Sequence, residues 1–185
     1  MKSVVIVHGW DGGPEEPMLQ WVKDEFEKRG YKTIVPAMPH PATPTIEDWV
    51  AKLKEVVPNE GEITLVGHSI GCQTILRYIE VLEEDEKIAK LILIAPWMAL
   101  DMNTIEEEGE EVKEIAKPWM ETPIDFTKVR RMVGETLAIF SDNDPYVPLS
   151  QKDLFEKKLG AKVVVEHNKG HFDPYSGTRE LPSVF

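Results

Sequence analysis

The stretch Gly67-His68-Ser69-Ile70-Gly71 has the residue type and the spacing that serine nucleophiles need. The apolar run 63–66 precedes it, and a run with helical spacing begins at Cys72. A G-x-S-x-G sequence between a strand and a helix forms a sharp turn that lifts the serine hydroxyl clear of the sheet. We expect glycine at both ends because a Cβ there would crowd the turn. The context predicts a nucleophile at Ser69, and the alternative is a helix N-cap.

A serine hydroxyl is a weak nucleophile at neutral pH and needs a base that a third group orients. His171 follows the last predicted strand and is preceded by Gly170, while Asp144 follows the preceding predicted strand. The chain order Ser, Asp, His is the order of α/β-hydrolases. The sequence therefore predicts Ser69 as nucleophile, His171 as general base and Asp144 as the acid that orients His171.

Other histidines and one other aspartate compete for these roles. His171 alone combines the chain order, a neighbouring glycine and a loop after a strand; the competitors are His8, His40, His68 and His167. We expect His8 to brace the first loop. Asp144 is favoured over Asp142 because it begins an Asp-x-x-Val-Pro sequence. Asp142 is expected to be a turn residue whose side chain bonds to nearby backbone.

Acyl transfer through a tetrahedral intermediate also needs hydrogen-bond donors for an oxyanion. The first predicted strand ends at His8-Gly9-Trp10, and the elbow continues into Ile70. We predict that the backbone N–H groups of Trp10 and Ile70 form the oxyanion hole. The alternative for Gly9, Gly12 and Gly13 is an ordinary turn cluster.

The sequence contains no pattern that requires a cofactor. Gly12 and Gly13 belong to neither a G-x-G-x-x-G nor a Walker sequence, so nucleotide binding is not expected. No histidine and carboxylate pair has zincin spacing, and the single Cys72 cannot build a structural zinc site. We therefore expect no metal and no cofactor.

Composition limits the class of protein and its partners. The 185 residues fit one domain, and 42% of them are hydrophobic. A net charge of −12 argues against nucleic acid and anionic membranes, so a small-molecule substrate is expected. No apolar run is long enough to span a bilayer or to act as a signal peptide, which predicts a cytoplasmic location.

Six short apolar runs alternate with helical stretches along the chain. The runs are continuous rather than alternating, which indicates strands buried on both faces of a parallel sheet; they are residues 4–7, 33–36, 63–66, 91–95, 136–140 and 162–166. Helical spacing lies between the runs, and Thr45 and Ser150 stand where helix N-caps are expected. The motif order predicts an α/β-hydrolase fold with a mostly parallel sheet of order 2-1-3-4-5-6.

Residues 98–133 exceed the length of one crossover helix and are expected to form a minimal flap, either over or beside the site. Trp97 and Met98 are predicted to bind substrate in an acyl pocket, to which Met102, Trp119 and Met120 also belong as candidates. The alternative is that all of these are ordinary core residues. The acidic residues 106–111 are expected to form a solvated helix face.

Several of these motifs together resemble one family of small serine hydrolases. They are His8-Gly9-Trp10, the elbow, Asp144-Pro145-Tyr146-Val147-Pro148 and Gly170-His171-Phe172, with Met38-Pro39-His40-Pro41 and Glu47-Asp48-Trp49. The chain resembles the YdeN-like and retinoblastoma-binding-protein-9-like serine hydrolases. The resemblance implies a compact α/β-hydrolase core, the triad Ser69, Asp144 and His171, and activity toward small esters. Relatives tend to continue into a fuller terminal helix, whereas this chain stops at Phe185.

The sequence thus predicts a carboxylesterase-like serine hydrolase that works through an acyl-enzyme on Ser69. Peptidase or amidase activity is a second hypothesis, since some relatives act on such bonds. A third is a non-catalytic interaction protein that keeps the fold, since fold alone does not determine function. Acyl-chain length, physiological substrate and oligomeric state do not follow from the sequence.

Overall fold

Six parallel strands form one sheet in the computed structural model, which describes residues 1–185. The strands are β1 (Lys2–Val7), β2 (Lys32–Ile34), β3 (Glu62–His68), β4 (Ile88–Ile94), β5 (Val133–Ser141) and β6 (Lys162–Glu166). Their order is β2-β1-β3-β4-β5-β6, and each neighbouring pair is parallel. The predicted α/β-hydrolase sheet order is therefore confirmed.

Helices connect the strands as crossovers and bury an apolar face of the sheet. They are α1 (Pro17–Lys28), α2 (Ile46–Val56), α3 (Ile70–Glu80), α4 (Met102–Glu108), α5 (Glu110–Glu121), α6 (Phe126–Met132) and α7 (Gln151–Leu159). The chain ends in a 3₁₀ turn, Pro182–Val184. No helix is long and apolar enough to cross a membrane.

The two predicted helix caps have different outcomes. The Thr45 hydroxyl accepts a hydrogen bond from the N–H of Asp48 at 3.2 Å, so it caps α2 as predicted. Ser150 is the N-cap residue of α7, as its position predicted, but its side chain makes no capping bond. Ser150 has helical dihedrals, φ −60° and ψ −20°. An N-cap side chain reaches the free N–H groups of the first helical turn when its own backbone is extended. The helical backbone of Ser150 does not direct its side chain there.

Helix α3 is the most deeply buried helix of the fold. Every residue from Ile70 to Ile79 is buried, and the helix packs on β3 and β1 and against α2 and α6. Apolar contacts on all sides fix its first turn in space. The start of α3 therefore lies at the carboxyl edge of the sheet between β1 and β4, where the loops after the parallel strands converge.

The segment between β4 and β5 is fastened to the loop that follows β5. The Asp101 N–H donates to the Tyr146 carbonyl at 2.8 Å, and the Thr104 hydroxyl donates to the Pro145 carbonyl at 2.8 Å. Its acidic residues 106–108 and 110–111 are exposed, as predicted for a solvated face. Helix α4 thus lies beside the loop that contains Asp144.

Candidate active site

Ser69 occupies a strained turn between β3 and α3. Its dihedrals are φ 54° and ψ −121°, and its N–H donates to the Ile94 carbonyl at 2.9 Å. A Cβ on Gly67 would lie 2.7 Å from the Cys72 nitrogen, and one on Gly71 would lie 2.6 Å from the Val7 carbonyl oxygen. Both glycines are therefore required by space. The Ser69 side chain makes no capping bond, so the N-cap interpretation does not describe its hydroxyl.

The structure brings Ser69, His171 and Asp144 together in one chain of hydrogen bonds. The Ser69 Oγ lies 2.8 Å from His171 Nε2, and His171 Nδ1 lies 2.8 Å from Asp144 Oδ2. The other Asp144 oxygen accepts the N–H groups of Tyr146 at 2.9 Å and Val147 at 3.0 Å. A carboxylate only accepts, so Nδ1 carries the proton and Nε2 is free to accept the serine proton. This tautomer is the one that a general base requires.

The loop after β1 lies against the nucleophile. A Cβ on Gly9 would lie 3.5 Å from the Ser69 Cβ. The Trp10 indole donates to the Ala42 carbonyl at 2.9 Å, whereas the Trp10 backbone N–H bonds to no acceptor in the protein. Ile70 is the first residue of α3, where N–H groups have no partner within the helix. The two predicted donors are thus placed beside Ser69, and their oxyanion role stays a prediction.

His8 braces this loop, as predicted. Its Nε2 accepts the N–H of Met38 at 3.0 Å, which leaves Nδ1–H to donate to the Gly9 carbonyl at 2.8 Å. Burial lowers the pKa of His8 below its usual value, and the hydrogen bond to Gly9 opposes this shift. The ring is therefore a neutral support that fixes the Gly9 carbonyl.

His68 and Glu16 are site residues that the sequence reasoning missed. His68 Nε2 lies 2.7 Å from the His171 carbonyl oxygen, and its Nδ1 has no partner and lies 4.0 Å from a Glu16 oxygen. Burial, together with the nearby His171, lowers the pKa of His68 to about 4. Burial also raises the pKa of Glu16, which accepts the Gly13 N–H at 2.9 Å. A variable elbow position gives no sequence signal for such a contact.

Trp97 and Trp119 are both buried in the core, but only Trp97 contacts Ser69. The Trp97 side chain is 1% exposed, and its indole N–H donates to Ser69 Oγ at 3.3 Å. The half-buried Met98 follows, and its N–H is held by the Gln151 side chain at 2.9 Å. Trp119 packs edge-on against Trp49 with ring centroids 6.2 Å apart, as the core alternative predicts. Two cavities of about 520 and 340 Å³ are lined by residues remote from Ser69.

Two further groups near the elbow are structural. The Cys72 thiol donates to the carbonyls of Gly67 at 3.1 Å and Ile94 at 3.3 Å. Burial raises the thiol pKa, so Cys72 is a protonated core residue. No group of three or more histidine, cysteine or acidic side chains is arranged to hold a metal ion.

A parallel sheet of this order, with a nucleophile elbow after β3, defines an α/β-hydrolase. The chain belongs to the serine hydrolase family, whose family model matches residues 4–185. The predicted family resemblance is therefore confirmed, and the protein is a hydrolase enzyme.

Known proteins of this kind are similar over most of their length. YdeN of Bacillus subtilis (strain 168) is 30% identical over 186 residues, which cover 100% of this chain and 93% of YdeN. Its crystal structure superposes with a TM-score of 0.85 at 24% identity, covering 100% and 95% of the two chains. The serine hydrolase RBBP9 of Rattus norvegicus is 24% identical, covering 91% and 80%. Est1E of Butyrivibrio proteoclasticus, in its complex with ferulic acid, shares the fold with a TM-score of 0.70 at 16% identity, covering 94% and 82%.

Proposed function

We propose that this serine hydrolase cleaves small esters through an acyl-enzyme on Ser69. The observation that supports this most directly is the unbroken sequence of hydrogen bonds from Ser69 Oγ through the His171 ring to Asp144, at 2.8 Å in both steps. The Asp144 side chain is only 2% exposed and the His171 side chain 12%. Water is largely excluded from the carboxylate, so its interaction with a developing imidazolium is strong.

In the proposed reaction the Ser69 oxygen attacks the ester carbonyl carbon while His171 Nε2 accepts the hydroxyl proton. The carbonyl oxygen becomes an oxyanion, which the N–H groups of Trp10 and Ile70 stabilise. The tetrahedral intermediate collapses, the alcohol leaves with the proton from Nε2, and the acyl group stays on Ser69. Water then attacks the acyl-enzyme with His171 as base, and collapse releases the carboxylic acid and restores Ser69.

The environment of Ser69 supports a short acyl group. The Trp97 ring is fully buried beside Oγ, so it occupies space that a long acyl chain would need. Met98 lies next to it at the partly exposed margin. We therefore propose that Trp97 and Met98 contact the substrate and limit its acyl length.

The test is hydrolysis of p-nitrophenyl esters from acetate to decanoate, with wild type and Ser69→Ala side by side. We expect kcat/KM to be highest for the short esters. We expect Ser69→Ala to lose at least about 10³-fold in kcat while keeping its circular dichroism spectrum and Tm, because the nucleophile is lost and the fold is not. Equal rates in both proteins would refute the nucleophile. Activity on anilides but not on esters would favour an amidase, and no labelling by a fluorophosphonate would favour a non-catalytic role.

A further inference from the structure

The segment that presents His171 has unusual backbone geometry. We call residues 167–171 the base loop. Asn168 and Gly170 have positive φ values of 55° and 53°, and Phe172, directly after the loop, has a φ of 59°. For residues other than glycine this conformation costs roughly 1 kcal/mol or more and persists where surrounding contacts enforce it. Contacts with the rest of the protein must therefore hold the base loop in this conformation.

Four consecutive residues, the last of β5 and the three that follow it, supply those contacts. We call Ser141–Asp144 the acceptor run, because each side chain accepts a hydrogen bond from the base loop. Three backbone N–H groups are accepted: that of Asn168 by Asp142 at 2.9 Å, that of Lys169 by Ser141 at 3.0 Å and that of Gly170 by Asn143 at 2.9 Å. The next pair in order is His171 with Asp144. The catalytic pair is thus the last of a series that aligns two loops.

Within the acceptor run, Asn143 also orients a second residue, Ser141. Its Oδ1 accepts both the Gly170 N–H and, at 2.8 Å, the hydroxyl of Ser141. The Ser141 proton is therefore committed to Asn143, which directs a lone pair of that hydroxyl at the Lys169 N–H. One amide oxygen consequently fixes the two N–H groups that immediately precede His171.

The other contacts of the base loop do not replace Asn143. The His167 side chain is 80% exposed, so its ion pair with Asp142 at 2.6 Å is screened by solvent. His68 holds the His171 carbonyl, which lies on the far side of the residue from Gly170. The Lys169 carbonyl accepts the Phe172 N–H at 3.0 Å and the Thr178 hydroxyl at 3.2 Å. The N–H groups of Lys169 and Gly170, which precede the ring, are held by Ser141 and Asn143.

We infer that Asn143 is a positioning residue that sets the placement of the His171 ring between Ser69 and Asp144. This inference rests on the proposed function, because it assigns Asn143 a part in the same reaction. A misplacement of a reacting group by about 1 Å can cost on the order of 10²-fold in rate. Loss of the Asn143 amide should therefore reduce kcat and leave KM nearly unchanged.

The experiment compares Asn143→Ala, Asn143→Asp and a matched control, Asp125→Ala. Asp125 caps α6 by accepting one backbone N–H, that of Lys128 at 3.0 Å, and lies away from the site. Both alanine variants lose a side-chain acceptor of backbone N–H groups, so both should lose Tm. We expect Asn143→Ala to lower kcat about 10- to 100-fold with KM within about twofold of wild type, and Asp125→Ala to keep kcat within about twofold.

Asn143→Asp keeps the acceptor and adds a negative charge near His171. We expect it to recover most of kcat and to move the acidic limb of the pH profile to higher pH, because the added charge favours the imidazolium. The proposal is overturned if Asn143→Ala keeps kcat within about twofold, if its loss only matches that of Asp125→Ala, or if Asn143→Asp is as impaired as Asn143→Ala.

A second readout does not require turnover. The proton shared by His171 Nδ1 and Asp144 should give a low-field NMR resonance, assigned by its absence in His171→Gln. We expect Asn143→Ala to broaden or lose this resonance and Asp125→Ala to retain it; retention in both would overturn the inference. If wild type shows the resonance but hydrolyses no ester, the proposed function fails while this comparison still decides the role of Asn143.

Discussion

At the residue scale, the site stores strain at Ser69 that buried neighbours hold in place. A residue with φ 54° and ψ −121° lies outside the usual regions for side chains other than glycine. Ile70 and Cys72 are fully buried, and the Ser69 N–H is tied to β4. Such a residue costs about 1–3 kcal/mol and persists only when its surroundings determine it. The buried packing of α3 thus keeps the Ser69 hydroxyl directed at His171.

His68 should make the stability of the protein depend on pH. Its folded pKa of about 4 lies below the unfolded value of 6.5, so the unfolded chain binds the proton first as pH falls. The contribution of His68 to the free energy of unfolding is fully present above pH 6.5. It is lost as pH falls toward 4, and the loss is on the order of 3 kcal/mol. His68→Gln retains an N–H donor and does not titrate. We expect its unfolding free energy, measured by urea denaturation, to decline less than that of wild type over this range.

Other buried titratable groups contribute to the pH dependence of both wild type and His68→Gln. His8, whose pKa is also lowered, adds the same sign of pH dependence to both proteins. Glu16, whose pKa is raised, has the opposite sign, because its contribution is lost as pH rises through its folded pKa. Parallel stability curves for wild type and His68→Gln would show that His68 is not the titrating group.

At the residue scale the sequence identified Ser69, His171 and Asp144 through motif and chain order, and the structure places them together. It did not identify His68, Glu16 or Asn143. Their partners are the His171 carbonyl, the Gly13 N–H and the Gly170 N–H. Backbone groups carry no sequence signature, so contacts to them cannot be found from residue types. Asp142 lies in a turn, as predicted, but its side chain accepts the Asn168 N–H and contacts His167, both far along the chain.

At the element scale, Arg77 fixes α5 against α3. This arginine is 4% exposed and donates to the carbonyls of Trp119 at 3.1 Å, Thr122 at 2.8 Å and Pro123 at 3.3 Å. These carbonyls lie in the last turn of α5 and directly after it, where helices leave C=O groups without internal partners and favour a cation. Arg77 thus holds the carboxyl end of α5 against α3.

We expect Arg77→Met to destabilise the protein by about 2–4 kcal/mol, because the buried Trp119 carbonyl and the partly buried Thr122 and Pro123 carbonyls lose their donor. Arg77→Lys should recover only part of the lost stability, since a single ammonium group cannot reach all three carbonyls. Urea denaturation gives the values. The matched control is Arg131→Ala, an exposed arginine paired with Glu84 at 2.6 Å, which should change stability by less than about 1 kcal/mol. A loss from Arg77→Met no larger than that of the control would contradict this assignment.

At the scale of the whole molecule, the net charge of −12 sets which substrates approach readily. Glu16 and Asp144 are acidic side chains at the site, where the proposed ester hydrolysis would produce a carboxylate. A field of one sign slows ligands of that sign and accelerates their opposites. For the proposed reaction we therefore expect the charge to favour release of the acid product and to disfavour anionic esters.

We expect kcat/KM for a monoanionic p-nitrophenyl hemiester to rise a few-fold between 0.01 and 0.2 M salt, because the Debye length shrinks from about 30 Å to below 10 Å. The neutral ester of equal chain length is the control and should change little. Stopped-flow or steady-state rates at low substrate concentration measure both. A salt effect of equal size on both esters would rule out electrostatic repulsion as its cause.

The sequence alone determined the fold class and the strand order of this protein, and it predicted the residues of the proposed triad. Continuous apolar runs indicated a parallel sheet, and the order of elbow, acid and base along the chain matched one topology. These properties depend on local residue patterns or on the order of motifs along the chain, so they can be predicted without the tertiary structure. The sequence did not place residues 98–133, which were expected to form a flap either over or beside the site.

Only the tertiary structure decided which side chains support the reacting residues. Trp97 meets Ser69 across 28 positions, Asn143 meets Gly170 across 27, and His68 meets His171 across 103. It also showed that, of the two core tryptophans, Trp97 contacts Ser69 and Trp119 packs against Trp49. These contacts arise because parallel strands bring distant loops to one edge of the sheet, and the packing of α3 fixes their separation to fractions of an ångström. Residue types along a chain do not encode those distances.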